Sequence, residues 1–108
     1  MTSVSFVKSD LTVYSSFECS GHSGYSEEGS DIVCAAVTSV TELIIGILEK
    51  FSVDFRLDIQ NNEAYVHCEI AQNEANSQKS KYIANVLDGY KEYLEEVSRE
   101  YPKYLNVH

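Results

Sequence analysis

The spacing of apolar residues in this chain switches from every second position to a helical period and back, and the cycle runs twice. That alternation limits the possible folds more than any single residue does. Thr2 to Lys8 alternates with Val4 and Phe6 on one face, Ser9-Asp10 turns, and Leu11 to Ser20 alternates again with Leu11, Val13, Phe17 and Cys19 pointing together. Asp31 to about Phe51 then carries apolar residues at 33, 36, 37, 40, 43, 44, 47, 48 and 51, a helical stripe. Val53, Phe55, Leu57 and Ile59 alternate, Asn61-Asn62 turns, and Ala64, Val66, Cys68 and Ile70 alternate back. From about Asn76 to Tyr101 a second stripe runs through Ile83, Val86, Leu87, Tyr90, Leu94, Val97 and Tyr101, stopped by Pro102. Tyr104 to Val107 adds a short extended tail. The order ββαββα predicts an α+β domain, a mainly antiparallel sheet with two helices packed on one face.

At 108 residues the chain fills one domain, 1–108, with no internal repeat to suggest another. Eight Tyr, four Phe and 44% apolar residues supply a core that needs neither disulfide nor metal. No apolar run reaches the ~20 residues that cross a bilayer, and the start Met1-Thr2-Ser3-Val4-Ser5-Phe6 lacks the features of a signal peptide. Three cysteines, an odd number, read as free thiols in a reducing cytoplasm. The formal charge is −9, from 17 acids against 8 bases, with no basic patch. Such a field repels nucleic acid and anionic membranes and attracts a basic protein or peptide.

The three thiols differ. Cys19 beside Phe17, and Cys68 between Val66 and Ile70, fall on the apolar faces of their strands and read as small buried hydrophobes. Cys34 lies off the centre of its helical stripe, on a line with Thr38 and Thr41. With Ser30 or Asp31 capping the helix, it falls in the first turn, where free N–H groups stabilise a thiolate and later an oxyanion. Periodicity alone leaves open a flank cysteine covered by a loop.

His22 sits between Gly21 and Gly24 in the one loop-like stretch, Gly21 to Ser30, GHSGYSEEGS. A solvated loop side chain is one reading. The other is a general base folded back over the helix start, within hydrogen-bond reach of Cys34. Asp31 is a helix cap or the residue that orients His22. Thr38 is a packing hydroxyl or the polar neighbour of the thiol. Alternation turns His67 away from Cys68, and the terminal His108 is expected to be disordered. Cys19, His22 and Cys34 lack a fourth ligand and a Cys-x-x-Cys knuckle, so no zinc site is expected. The glycine-bracketed stretch is no phosphate loop, and no cofactor is called for.

The segment Gly21 to Val40, GHSGYSEEGSDIVCAAVTSV, resembles the signature of the ribosomal-processing cysteine proteases, the Prp family, in its Gly-His loop and its Asp-Ile-Val-Cys-Ala-Ala-Val run. The preceding strand pair, the acidic second helix and Tyr101-Pro102-Lys103-Tyr104 extend the likeness over nearly the whole chain. The resemblance implies a cytoplasmic, homodimeric cysteine endopeptidase of the Firmicutes and related bacteria. Such enzymes remove a short N-terminal extension from a large-subunit ribosomal protein, cutting after a phenylalanine. It implies His22 as general base, Cys34 as nucleophile, Asp31 as the acidic residue before it and Gly21 as the hinge of the His loop. Ser23 stands where many members have Ala, and Thr38 where many have Ser. Two rivals make different predictions: a non-catalytic binding module for a basic ribosomal partner, and a redox sensor pairing Cys34 with Cys19.

Overall fold

The computed structural model describes residues 1–9, 13–21, 28–60 and 65–108; of residues 28–31 it describes the backbone alone. Strands β1 (Thr2–Lys8), β2 (Tyr14–Ser20), β3 (Phe55–Gln60), β4 (Tyr65–Ile70) and β5 (Leu105–Val107) form one sheet in the order β3-β4-β2-β1-β5. All neighbours pair antiparallel except β5, which runs parallel to β1 at one edge. Helix α1 (Glu28–Lys50) links the two hairpins, and α2 (Ser80–Glu100) follows the second after a 3₁₀ turn at Gln72–Asn76. This is the α+β, ββαββα arrangement that the apolar spacing predicts. The Asn61-Asn62 turn, Leu11 and Ala64 lie outside the described residues.

Both helices cover the same sheet face. Cys19 on β2 touches Thr41 of α1 and Tyr90 of α2, and the Tyr90 ring packs edge-on against Phe6 and Phe17. The helical stripes explain the placement: Val33, Val37, Ile44 and Leu48 on α1, and Ile83, Leu87, Tyr90 and Leu94 on α2, are buried against Val4, Phe17 and Cys68. Burying each such aliphatic side chain contributes about 1.5–3 kcal/mol, which holds the layers together. The other sheet face is polar, with Glu18, His67, Arg56 and Glu69 partly or largely exposed.

Several boundaries differ from expectation. Tyr14, not Val13, enters the core, because the β1–β2 register shifts between Val7 and Lys8. The additional residue, Ser15, reverses the phase of alternation toward the strand start. Leu43 belongs to the expected stripe of α1 but stays exposed, because the sheet covers a narrower arc of the helix than the apolar residues span, and Phe51, expected at the end of that stripe, falls in the turn after the helix and is exposed. Ile32–Lys50 is long and apolar enough to cross a membrane by length and composition. Part of it, the Val33–Leu48 stripe, is buried on the sheet, 28% of the apolar window in all. The C-terminus is paired rather than disordered: the His108 N–H donates to the Val4 carbonyl, and the Phe6 N–H donates to His108.

Candidate active site

The N-terminus of α1 is the largest departure from the sequence reading. The helix begins at Glu28, so Ser30 and Asp31 are helical rather than capping, and Cys34 is its seventh residue. An acidic residue opening the helix complements the positive end of the macrodipole, which favours the earlier start. The unpaired amides of a helix are its first four, and the dipole effect fades within the first turn. Cys34 therefore lies beyond both, so it is not the first-turn residue that the sequence predicts, and its own amide is not among the free donors that could hold an oxyanion.

What Cys34 does have is a cleft. It is half-buried and lines a cavity of ≈ 270 Å³ between α1 and the sheet. The α1 wall carries Cys34, Val37, Thr38, Thr41, Glu42 and Ile45. Thr2, Cys19 and Gly21 close it from β1 and β2, and Ile59, Tyr65 and Val66 from β3 and β4. The line Cys34–Thr38–Thr41 is thus the cleft wall. Thr38 is exposed in it, whereas Thr41 is only 4% exposed and reaches into the core.

The floor is a closed polar network. Thr41 Oγ1 and Tyr90 Oη are 2.7 Å apart, and Cys19 Sγ lies 3.3 Å from Tyr90 Oη and 3.7 Å from Thr41 Oγ1. Burial pushes the Cys19 thiol up, outweighing the Tyr90 and Thr41 hydrogen bonds that act the other way. Burial likewise pushes Cys68 up to about 12. Both are protonated, packed thiols at neutral pH, as their strand positions predict. All three cysteines are free. Cys19 sits against Thr41, two turns and about 10 Å of helix rise beyond Cys34. A Cys19–Cys34 disulfide asks Cys19 to leave this network.

Gly21 ends β2 at the cleft with φ +83°, and a Cβ there would stand 2.5 Å from the Met1 carbonyl oxygen. Only glycine meets both demands. His22, the next residue, lies outside the described residues, as does the side chain of Asp31; the Asp31 backbone is in the first turn of α1. His67 points to the polar sheet face, opposite the buried Cys68. There its Nδ1 is 3.3 Å from Glu18 Oε1, and its ring stacks on Tyr65. Among the described residues no group of His, Cys, Asp and Glu is placed to hold a metal. Nothing in the sequence marks Glu42, Ile45, Ile59, Tyr65 or Val66 as cleft residues. Glu42 and Ile45 do continue the Cys34–Thr38 line; the strand residues depend on pairing that sequence spacing does not display.

The family model described as cysteine protease Prp matches residues 1–106. The ribosomal processing cysteine protease Prp of Bacillus subtilis is 29% identical over 93 residues, covering 85% of this chain and 82% of that protein. Among solved structures, the ribosomal processing protease Prp of S. aureus in complex with a substrate peptide superposes with TM-score 0.86 at 16% identity, covering 100% of this chain and 98% of that one. SMU.848 from Streptococcus mutans superposes with TM-score 0.78 at 21% identity, covering 99% and 91%. At these identities the structural matches establish the shared fold.

Proposed function

The chain belongs to the cysteine protease Prp family, and from that premise we propose that it removes a short N-terminal extension from a large-subunit ribosomal protein, with Cys34 as nucleophile and His22 as general base. One observation carries the assignment of residues: Gly21 and Cys34 line the same cleft. His22 is the residue that follows Gly21 in the chain.

In this reaction His22 accepts the Cys34 proton, and the sulfur attacks the scissile carbonyl, forming a C–S bond and a tetrahedral oxyanion. The imidazolium then protonates the leaving amine as the C–N bond breaks, which leaves a thioester on Cys34. Water, deprotonated by His22, attacks the thioester; the C–S bond breaks and the carboxylate product departs. Asp31 lies one helical turn before Cys34 in the sequence of α1, and in this proposal it orients His22. Thr38, one turn after, is the polar neighbour of the sulfur.

The relatives named for ribosomal processing support this substrate class, and the −9 charge suits a Lys- and Arg-rich ribosomal N-terminus. Three free thiols are in keeping with a cytoplasmic setting. The proposal includes a homodimer, supported by Ile32 and Leu43 exposed on α1 and by the exposed Phe51 just after it, which stacks on Tyr82 at 5.7 Å.

Incubation with a synthetic N-terminal peptide of such a ribosomal protein, read by mass spectrometry, tests the function. The protein should cut after phenylalanine, Cys34→Ala should bind without cutting, and His22→Ala should slow turnover about 10²–10⁴-fold. Cutting by Cys34→Ala at the parent rate, or none by the parent, overturns the proposal. The latter outcome, with binding retained, is what the binding-module reading predicts.

A further inference from the structure

We propose that Glu42 is a specificity-determining residue of this cleft, accepting a Lys or Arg side chain of the bound peptide three to four residues from the scissile bond; this rests on the protease reading given above. The cleft walls contributed by Val37, Ile45, Ile59 and Val66 are apolar, and among its described lining residues Glu42 alone carries a charge. Its polar floor offers no competing site for a cation, because Cys19, Thr41 and Tyr90 satisfy one another. The Tyr65 hydroxyl donates to Glu18 Oε1 at 2.6 Å and is likewise committed. Glu42 is exposed, and the ion pairs of the described residues do not include it, so its carboxylate is available to a ligand.

The position along the cleft follows from helix geometry. Glu42 is eight residues after Cys34, about 12 Å along the axis of α1. A peptide laid extended in the cleft advances about 3.3 Å per residue, so the side chain that meets Glu42 is three to four residues from the carbonyl at Cys34. The apolar wall between these points takes the intervening hydrophobic side chains. The carboxylate at its far end favours a cation and repels an anion at one fixed distance from the chemistry. The molecule's net −9 charge attracts basic peptides without choosing a register, and Glu42 supplies the register.

The test uses equilibrium binding to the full chain in a Cys34→Ala background, so that no turnover is needed. Fluorescent peptides with one common apolar core carry Lys, Gln or Glu at the third and fourth residues on either side of the scissile bond. At one of these positions Lys should bind about fivefold tighter than Glu, and the ratio should shrink as salt is raised. Adding Glu42→Gln should level the preference and Glu42→Lys should invert it; both substitutions are at an exposed site, and circular dichroism verifies the fold. A Lys-to-Glu ratio that Glu42→Lys leaves unchanged at every position overturns the inference, as does the absence of binding by any peptide. Failure of the parent protein to cut these peptides instead overturns the protease reading, while the binding ratio still reports on Glu42.

Discussion

Thr41 shows how one hydroxyl ties this site to the fold. It sits in the arc of α1 that faces the sheet, only 4% exposed, where an aliphatic residue would ordinarily be found. Its oxygen is held by Tyr90 from α2 and Cys19 from β2, so three elements meet at one buried polar contact directly beneath the cleft. A buried hydroxyl deprived of its partner loses the hydrogen bond and keeps the desolvation cost. Tyr90→Phe should therefore destabilise the protein by about 1–3 kcal/mol in urea unfolding, with little change in burial. A loss below about 0.3 kcal/mol would mean that the network contributes nothing to stability. Conservative as it looks, that substitution tests why a threonine and a cysteine share the core with tyrosine. The Cys34 thiol differs from the other two in being half-buried, whereas Cys19 and Cys68 are buried.

Helix α1 has three working faces. One, from Val33 to Leu48, is buried on the sheet; a second, from Cys34 through Thr38 to Glu42, borders the cleft; the third carries Ile32 and Leu43 into solvent. Leu43 is 60% exposed, so Leu43→Arg should leave the fold intact and, on the homodimer proposal, shift sedimentation from dimer to monomer. A dimer that persists unchanged in that variant places the subunit contact elsewhere. The apolar spacing revealed both helices and four of the strands, because each element buries one face and its period survives in the sequence. It did not reveal the phase change at Ser15, since a bulge leaves the composition of a strand unaltered and moves only its register. Nor did it place the helix start, because Glu28, Gly29 and Ser30 carry no apolar periodicity and resemble loop residues. The parallel β1–β5 pairing joins the two ends of the chain, a contact that no local pattern encodes. At the site, Cys34 and Thr38 were legible as a polar line beside an apolar stripe. Thr41 was read on that line and proves to be core, since a hydroxyl that finds buried partners is indistinguishable in sequence from one facing water.

Over the whole molecule, thiols and phenols held protonated by burial or hydrogen bonding should set the alkaline limit of stability. Burial raises Cys68 from 9.0 to about 12, and the hydrogen bond to Glu18 raises Tyr65 from 10.0 to about 12. Burial also raises Tyr14 and Tyr90. Each group loses its proton more readily in the unfolded chain, so its contribution is complete below about pH 9 to 10 and is lost as pH rises toward the folded values. Unfolding free energy should be flat from pH 7 to about 9 and fall from there to about 12. For Cys68 the slope approaches at most about 1.4 kcal/mol per pH unit, and Cys68→Ala should reduce the total slope. A profile flat to pH 11 would contradict this. The same burial leaves Cys34 as the one candidate nucleophile among the three thiols. Acid-quenched intact mass after mixing with the ribosomal peptide decides this: a transient acyl adduct should map to Cys34 and be absent from Cys34→Ala, whereas product formation that persists in Cys34→Ala, or an adduct on Cys19 or Cys68, would rule Cys34 out as the nucleophile.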